Sequence, residues 1–512
     1  MLGWMSGKPD HPMADIKQVR KFLAELPQAD AQKSLEEITL SLESLGGIDQ
    51  FHLGDRLEII MLLDEAGQVH RRKLGRDYLM NSRLQKTQEN RLWTAMHQFW
   101  KQLADAYFNC VRDFEADVKG AGSIKAALPL VVSRGLRAAS TELKWLQLRY
   151  GPVEQSLWGR LAKLYEFAET RGIEKKVVSL YPGVPEDATA EREFLKTMML
   201  WVSCPDSLVP LHIEMAERLT GHFSAAFVIG KERGSFSHCV DLAKQKPPMR
   251  LNQGVIAHPS VRFFDAGGAY QQLQQLIAQV KAVGLPTDIN LGGTFSTGTV
   301  LEVLDHLALH WGPVPPARKY PRHKMVARLS VVNGFETLLG RIEGTALDFE
   351  NEESWVVEDI SAGGFAAMIP PIKSDWIRVG TLLGIKPEGT QGWTVGVVRR
   401  MNRDDKKQGH VGVQTLTKNA RPVNVRALDE QFGSGNAESA MLLPDLVAAP
   451  AAAGAPARVL FKANSYAPGR RFEMNIGDGK KRLLLPLALI EQGPDYDFGQ
   501  FREMVAEAAS ED

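Results

Sequence analysis

The 512-residue chain contains little cysteine, and its charges cancel. Its three cysteines, Cys110, Cys204 and Cys239, form no CxxC pair, which argues against a disulfide scaffold or a cysteine zinc site and favours a reducing cytoplasm. Lys and Arg total 61, as do Asp and Glu, so the chain lacks the positive field of a protein that coats nucleic acid. No uninterrupted apolar run reaches the roughly 18 residues that span a bilayer. We therefore expect a cytoplasmic protein with no transmembrane segment, for which nucleic acid is not a favoured partner.

The length of the chain exceeds what one hydrophobic core supports and predicts about three domains. The N-terminus lacks the long apolar core of a secretory signal, and residues 1–12 are expected to form a disordered leader. Residues 13–312 favour a mainly helical region, with helices throughout 13–223 and a mixture of helices and strands over 224–312. We recognise no family pattern in this N-terminal region.

One predicted helix carries four positions at a spacing that also occurs in tetratricopeptide repeats: Trp158, Leu161, Ala162 and Tyr165. No repeat of about 34 residues accompanies them. The interpretation is open between a buried aromatic helix face and a degenerate helical-hairpin scaffold. Either arrangement leaves a broad helical surface for a protein partner of unknown identity.

The second half of the chain changes to strand periodicity. Residues 313–323 form a basic linker whose four prolines favour extended backbone. Residues 316–425 contain six short strand patterns separated by Gly, Asn and Asp turns, which predicts a small antiparallel β-barrel. Residues 433–458 form an Ala/Pro linker, and residues 459–512 a β-hairpin module with a tail that favours a helix. The predicted fold class is a multidomain α + β chain: a mostly α-helical N-terminal region, a small antiparallel β-barrel and a C-terminal β-rich module.

The first linker carries a candidate anion site. Arg318 and Arg322 lie four residues apart in a stretch without acidic residues. Arginine bonds phosphate oxygens or the O6/N7 edge of guanine through two parallel hydrogen bonds, and its flat face stacks on purines. Charge alone does not separate this interpretation from an ordinary solvated basic linker.

The stretch EDISAGG, residues 358–364, presents a carboxylate beside flexible backbone. Asp359 and Ser361 alternate with Ile360, so they share one face of a strand, and Gly364 permits close approaches. The aspartate could accept hydrogen bonds from the N1–H and N2–H2 edge of guanine, and the serine could bond a phosphate. The alternative is that both side chains make only the local hydrogen bonds of a turn.

Taken together, the two patterns resemble the RxxxR and DxSxxG signature of the PilZ domain family, at Arg318, Arg322, Asp359, Ser361 and Gly364. The resemblance covers about residues 316–425 and implies a small β-barrel that binds cyclic di-GMP. It implies that the two arginines grip guanines and phosphates, that the aspartate and serine line the barrel face, and that the glycine permits close approach. Cyclic di-GMP would be a ligand, and no cofactor is expected.

One departure from the family concerns the number of ligand molecules. Many members carry a further arginine directly before the first motif arginine, which favours a stacked pair of ligands. This chain has Ala317 at that position. This departure favours one molecule of cyclic di-GMP per site over two, and the sequence leaves both numbers open.

The resulting hypothesis is a bacterial cyclic di-GMP receptor without enzymatic activity. Because the RxxxR linker joins the helical region to the barrel, ligand binding is expected to stiffen this hinge and rearrange a partner-binding helical region. The alternative is a scaffold of a motility or pilus system whose barrel does not depend on nucleotide. An enzyme in the mixed region would have to use His238, Cys239 and Asp241. Adjacent residues on a strand point apart, which disfavours a shared catalytic site.

Overall fold

In the computed structural model, the chain forms two compact units. One unit comprises Met1–Pro205 and Pro210–Pro316, and the other comprises Asp206–Val209 and Ala317–Asp512. The structure describes residues 11–46, 51–81, 84–183, 187–252, 254–314, 316, 320–345, 352–369, 376–429, 433–444, 456–475 and 481–505. Residues 1–10 of the expected leader and residues 315 and 317–319 of the first linker therefore lie outside the described residues.

Helices form most of the first unit, as the 3.6-residue periodicity predicts. Side-chain caps fix several of their starts: Asp30 accepts a hydrogen bond from the Lys33 N–H, and Ser296 accepts one from the Thr299 N–H. The helices are α1 (Ile16–Glu25), α2 (Ala31–Leu45), α3 (Leu53–Met80), α4 (Lys86–Glu115), α5 (Leu128–Gln147), α6 (Gln155–Thr170), α7 (Ala190–Val202), α8 (Pro210–Phe223), α9 (Ala269–Val283) and α10 (Thr297–Trp311). Within the described ranges, none of the helices combines the length and the apolar character needed to cross a membrane.

Short strands interrupt these helices. A two-stranded ribbon consists of β1 (Val178–Ser179) and β2 (Asp187–Ala188). A four-stranded antiparallel sheet in the order β3-β6-β4-β5 consists of β3 (Val228–Gly230), β4 (His238–Asp241), β5 (Met249–Arg250) and β6 (Val261–Asp265). Residues 224–312 thus contain this sheet together with α9 and α10.

Aromatic side chains pack against one another in the interior of the helical unit. The ring of Tyr165 stacks on Phe194 with 4.2 Å between ring centroids, and Trp158 meets Trp201 edge to face at 4.9 Å. All four residues with the tetratricopeptide-like spacing are buried on α6. Their burial makes this face part of the core, which both interpretations of the spacing require.

The first barrel of the second unit is a closed ring of antiparallel strands. Its strands pair in the cyclic order β8-β9-β10-β13-β12-β11, and the β9–β10 pairing closes the ring, while β7 adds a short strand beside β9. The elements are β7 (His323–Lys324), β8 (Arg328–Asn333), α11 (Phe335–Glu343), β9 (Glu353–Ser361), β10 (Gly364–Ile369), β11 (Leu382–Pro387), β12 (Thr394–Arg403) and β13 (Gly409–Thr417).

A second closed barrel follows, with the same strand order as the first. Numbered within each ring, both run 1-2-3-6-5-4, because the second ring is β14-β15-β16-β19-β18-β17. The elements are β14 (Arg421–Asp429), β15 (Gly433–Leu442), β16 (Ala457–Lys462), β17 (Arg471–Asn475), β18 (Lys481–Gln492) and β19 (Tyr496–Val505). The predicted fold class, a helical N-terminal region followed by an antiparallel barrel and a C-terminal β-rich module, is confirmed.

The extent of the second barrel differs from the predicted boundaries. The predicted first barrel, 316–425, included the start of β14, which belongs to the second ring. The predicted Ala/Pro linker, 433–458, contains β15 and the start of β16, while residues 445–455 lie outside the described residues. The small and polar residues of β15 have low intrinsic strand propensity, so the sequence favoured a linker there. The segment becomes a strand because it pairs with β14.

The C-terminal segment differs as well. The predicted hairpin module at 459–512 supplies most of β16 and all of β17, β18 and β19, so it is part of a complete barrel rather than a separate hairpin. Its tail forms β19 as far as residue 505, where a helix was expected. The long ladder between β18 and β19 and the burial of Tyr496 and Phe501 stabilise the strand.

An apolar cluster around α11 joins the two rings of the second unit. Phe335, Leu338 and Leu339 of α11 pack with buried residues of β11, β12 and β13 and with buried residues of β15, β16 and β19. The Phe335 N–H at the start of α11 donates to the Asp495 carboxylate at 2.6 Å. The helix therefore belongs to a core that both barrels share.

Candidate functional site

The acid-bearing strand predicted from the sequence is β9. Asp359 and Ser361 lie at its C-terminal end, where β9 turns into β10 at Gly364. On the other side of β9, β7 pairs antiparallel so that Lys324 lies opposite Asp359. Arg322 directly precedes β7, so the strand pairing brings this part of the linker to the aspartate.

The predicted arginine and the predicted acid form an ion pair. Arg322 Nη1 donates to Asp359 Oδ2 at 3.2 Å, across 37 positions of sequence. Their side chains are 40% and 26% exposed, so the pair lies at the surface of the barrel. An exposed ion pair of this kind contributes at most about 1 kcal/mol, and an anionic ligand can therefore compete for the arginine.

The second oxygen of the same carboxylate has no partner. Asp359 Oδ1 is buried and accepts no hydrogen bond from the described residues. A buried acceptor without a partner costs about 1–3 kcal/mol, so a donor supplied there would be favourable. This oxygen is the feature of the barrel that most directly indicates a missing hydrogen-bond donor.

Ser361 and Gly364 hold the turn between β9 and β10. Ser361 Oγ donates to the Gly364 carbonyl at 3.1 Å, which is the local hydrogen bond of the turn. A β-carbon on Gly364 would lie 2.0 Å from the Val413 carbonyl oxygen, so only glycine lets β10 approach β13 this closely. A β-carbon on Gly363 would lie 2.9 Å from the ring of Tyr320, which places that linker residue directly over the turn.

These residues surround one polar pocket. The structure brings together four of the five predicted site residues, Arg322, Asp359, Ser361 and Gly364; Arg318 lies outside the described residues. The pocket has a volume of about 530 Å³. Its opposite wall comes from β12 and β13, and its polar side chains are Arg399, Arg400, Asn402, His410 and Gln414.

The sequence interpretation missed this wall. The signal for it is the VVRRMNR stretch of β12, where two adjacent arginines interrupt an apolar strand. A register shift between Val398 and Arg400 leaves Arg399 without a partner in the β12–β13 ladder, and this makes it a bulge residue. A bulge redirects a side chain, and strand alternation does not predict its direction.

The second barrel has different residues at the corresponding positions. Because β16 pairs with β19 over the same number of positions as β10 pairs with β13, the two ladders can be matched residue by residue. The match places Ala457 at the position of the motif glycine, and Leu442 at the position of the motif aspartate. Pro444 then takes the place of the serine, so the second barrel carries no DxSxxG pattern at the described end of β15 and start of β16.

The three candidate catalytic residues of the mixed region lie on β4, and Cys239 is buried there. The ring of His238 is buried and stacks on Phe264 with 5.6 Å between centroids, and burial lowers the pKa of His238 to about 4. Asp241 accepts hydrogen bonds from Ser260 Oγ at 2.6 Å and from the Ala243 N–H at 3.1 Å. These contacts support the loop and the sheet.

Comparison with known families agrees with this geometry. Residues 349–422 match the family described as the middle PilZ domain of the cyclic-di-GMP receptor FimW. The first barrel is therefore a PilZ domain, and this chain is a PilZ-domain protein. Residues 17–232 match the N-terminal domain of the same receptor, so a large part of the region 13–312, which we could not assign from its residues, is similar to a known family.

No curated protein matches the chain. Among solved structures, MrkH, described as a novel c-di-GMP dependence transcription regulatory factor, is 8% identical with a TM-score of 0.16, over 38% of this chain and 92% of its own. A superposition at this level supports no conclusion about fold or function.

Proposed function

We propose that this chain is a receptor that binds cyclic di-GMP in the pocket at Asp359 and acts as an effector rather than an enzyme. One observation carries the proposal: Arg322 lies against one oxygen of Asp359, while the other oxygen is buried without a partner among the described residues. The guanine base has two adjacent donors, N1–H and N2–H2, that match a carboxylate. The family matches, which are to a cyclic-di-GMP receptor, support the same ligand.

The proposed binding mode uses each motif residue for one task. Arg318 and Arg322 contact the phosphates and guanines, and Asp359 accepts from a guanine edge. Ser361 and Gly364 maintain the turn that presents the aspartate. Charge-assisted hydrogen bonds contribute about 1.5–3 kcal/mol each, which exceeds the contribution of the exposed Arg322–Asp359 pair that the ligand disturbs.

The test is calorimetric titration of the full chain with cyclic di-GMP and, separately, with cyclic di-AMP. We expect saturable binding of cyclic di-GMP. Cyclic di-AMP should bind far more weakly, because adenine offers neither the N1–H nor the N2–H2 donor to Asp359. Absence of binding by cyclic di-GMP, or equal binding of the two dinucleotides, would contradict the proposal.

Asp359→Asn should weaken cyclic di-GMP binding by roughly 10- to 150-fold, the equivalent of one charge-assisted hydrogen bond. An amide has the same shape but only one acceptor oxygen, so its NH2 group would face a guanine donor. Titration of the variant checks the effect. Asp405→Asn removes the same charge from the β12–β13 turn outside the pocket and should bind normally. Equal affinities of the two variants for cyclic di-GMP would mean that Asp359 does not contact the ligand.

One chain should bind one molecule of cyclic di-GMP. The second barrel has Leu442, Pro444 and Ala457 at the matching positions, and Ala317 replaces the arginine that favours a ligand pair in the first barrel. Native mass spectrometry of the ligand-saturated chain measures the ratio directly. A second bound molecule that survives Asp359→Asn would mean that the chain has a further site outside this pocket, and would contradict the expected ratio.

We further propose that binding is transmitted to the N-terminal helical region and changes its affinity for a protein partner. Arg322 lies six residues after the boundary between the two units, so a ligand that holds it restrains the connecting segment. A ligand shifts such an equilibrium only through its different affinity for the two arrangements. Hydrogen exchange of the full chain with and without cyclic di-GMP should show changes in the helices as well as in the barrel. Changes confined to the barrel would contradict the coupling.

A further inference from the structure

The pocket wall opposite the motif contains an arginine with an unusually fixed side chain. Arg399, the bulge residue of β12, donates through Nε to Gln414 Oε1 at 2.7 Å. Its Nη1 and Nη2 donate to the two carboxylate oxygens of Glu491, each at 2.6 Å. Glu491 lies on β18, so a residue of the second barrel holds an arginine of the first barrel's pocket.

The acceptor of this pair is itself anchored. The hydroxyl of Tyr496, whose ring is fully buried, donates to Glu491 Oε1 at 2.8 Å. Two parallel hydrogen bonds to one carboxylate and a third bond to an amide fix the plane of the guanidinium group. Burial alone would lower the pKa of Arg399, but the Glu491 carboxylate raises it above its ordinary value.

The geometry leaves a ligand the flat face of Arg399 rather than its edges. Nη1 and Nη2 of the guanidinium group are hydrogen-bonded to Glu491, and Nε is hydrogen-bonded to Gln414. A guanidinium plane stacks well on a purine, and the stacked contact does not require that the carboxylate leave. A phosphate could use the same arginine only by displacing a bidentate carboxylate, which is a stronger partner than the single contact between Arg322 and Asp359.

We infer that Arg399 is a further ligand-binding residue that stacks on a guanine of cyclic di-GMP, and that Glu491 of the second barrel is its positioning residue. The inference rests on the proposed function, because it concerns the same pocket. The C-terminal barrel, which lacks the motif, would then take part in the site of the first barrel, because its Glu491 holds the guanidinium plane of Arg399 in place.

The test compares cyclic di-GMP affinities of the full chain and its Arg399→Ala, Arg399→Lys and Glu491→Gln variants. We expect Arg399→Ala to bind about tenfold more weakly, through loss of one stacked base. Arg399→Lys should lose nearly as much, because an ammonium keeps the charge but has no plane. Glu491→Gln should weaken binding by roughly three- to tenfold, since an amide accepts with one oxygen instead of two.

A matched control and a salt series separate this role from a general effect of charge. Glu503→Gln removes the partner of Arg482, in another Arg–Glu pair of the second barrel, and should bind like the wild type. The dependence of affinity on salt should be the same in Arg399→Lys as in the wild type, because the charge is kept, so a loss of affinity in that variant reports the missing plane. Thermal melting of each variant shows that it is folded, and Arg399→Lys retains an ion pair with Glu491.

The outcomes distinguish the two proposals. If the wild type does not bind cyclic di-GMP, the proposed function fails. If the wild type binds and Arg399→Lys binds equally well, the planar stacking role is overturned. If Glu491→Gln binds more tightly than the wild type, Glu491 competes with the ligand for Arg399, which overturns its assignment as a positioning residue.

Discussion

Replacing Arg318 and Arg322 together by alanine should weaken cyclic di-GMP binding by at least about 100-fold. Each guanidinium is expected to make one or more charge-assisted contacts with the ligand, and each such contact contributes about 1.5–3 kcal/mol. The cost of freeing Arg322 from Asp359 is small in comparison, because that ion pair is exposed. Calorimetric titration of the double variant under the same buffer and salt conditions as the wild type measures the effect.

A matched double variant controls for the loss of two positive charges. Arg328 on β8 and Lys386 on β11 belong to the same barrel and do not line the pocket. Their joint replacement by alanine removes the same formal charge and should leave the affinity within about threefold of the wild type, the residual effect of long-range screened charge. Equal heats of binding for the wild type and the Arg318/Arg322 variant would reject the linker arginines as ligand contacts.

Gly364→Ala should destabilise the first barrel by about 3 kcal/mol or more, at the upper end of the costs of overpacking. The added carbon would lie 2.0 Å from the Val413 carbonyl oxygen, and the obstructing atom is backbone that cannot rotate away. The β10–β13 ladder must therefore separate or shift. For a unit of this size, we expect the corresponding thermal transition to fall by roughly 6–12 °C.

Gly392→Ala is the control for this substitution. Gly392 lies between β11 and β12 of the same barrel, and an added β-carbon there would meet no atom within 4 Å. Calorimetric scans of the two variants should show a large decrease in stability for the first and almost none for the second. A Gly364→Ala protein with wild-type stability but reduced affinity would mean that the glycine serves the ligand and not the packing of β10 on β13.

The paired site motifs were predictable because each depends on local geometry. Alternation along a strand places Asp359 and Ser361 on one face, and the following glycines place a turn directly after them. The pairing of β7 with β9 then brings Arg322 to the aspartate. The resemblance to the PilZ family predicted this convergence across 37 positions, which periodicity alone does not reveal.

The second barrel was not predictable as a barrel because its evidence is long-range. β15 is rich in small and polar residues, and it becomes a strand through its pairing with β14. The residues of β19 also suit a helix, and they form a strand because they pair with β16 and β18 in the ring. Only the complete ladder reveals that this segment repeats the strand order of the PilZ domain.

The role of Arg399 in the pocket was not predictable from the sequence. Its place in the pocket depends on a bulge, and its fixed orientation depends on Glu491, which is 92 positions away. Neither feature has a local pattern in the sequence. Through Glu491 the C-terminal barrel holds a residue that lines the candidate site, and sequence reasoning had no means to anticipate this.

A structure of the full chain in complex with cyclic di-GMP tests the central claim most directly. We expect one guanine with its N1–H and N2–H2 edge on the carboxylate of Asp359 and a phosphate or guanine contact from Arg322. A ligand bound on another surface, with the ion pair between Arg322 and Asp359 intact and Asp359 Oδ1 still without a donor, would contradict it.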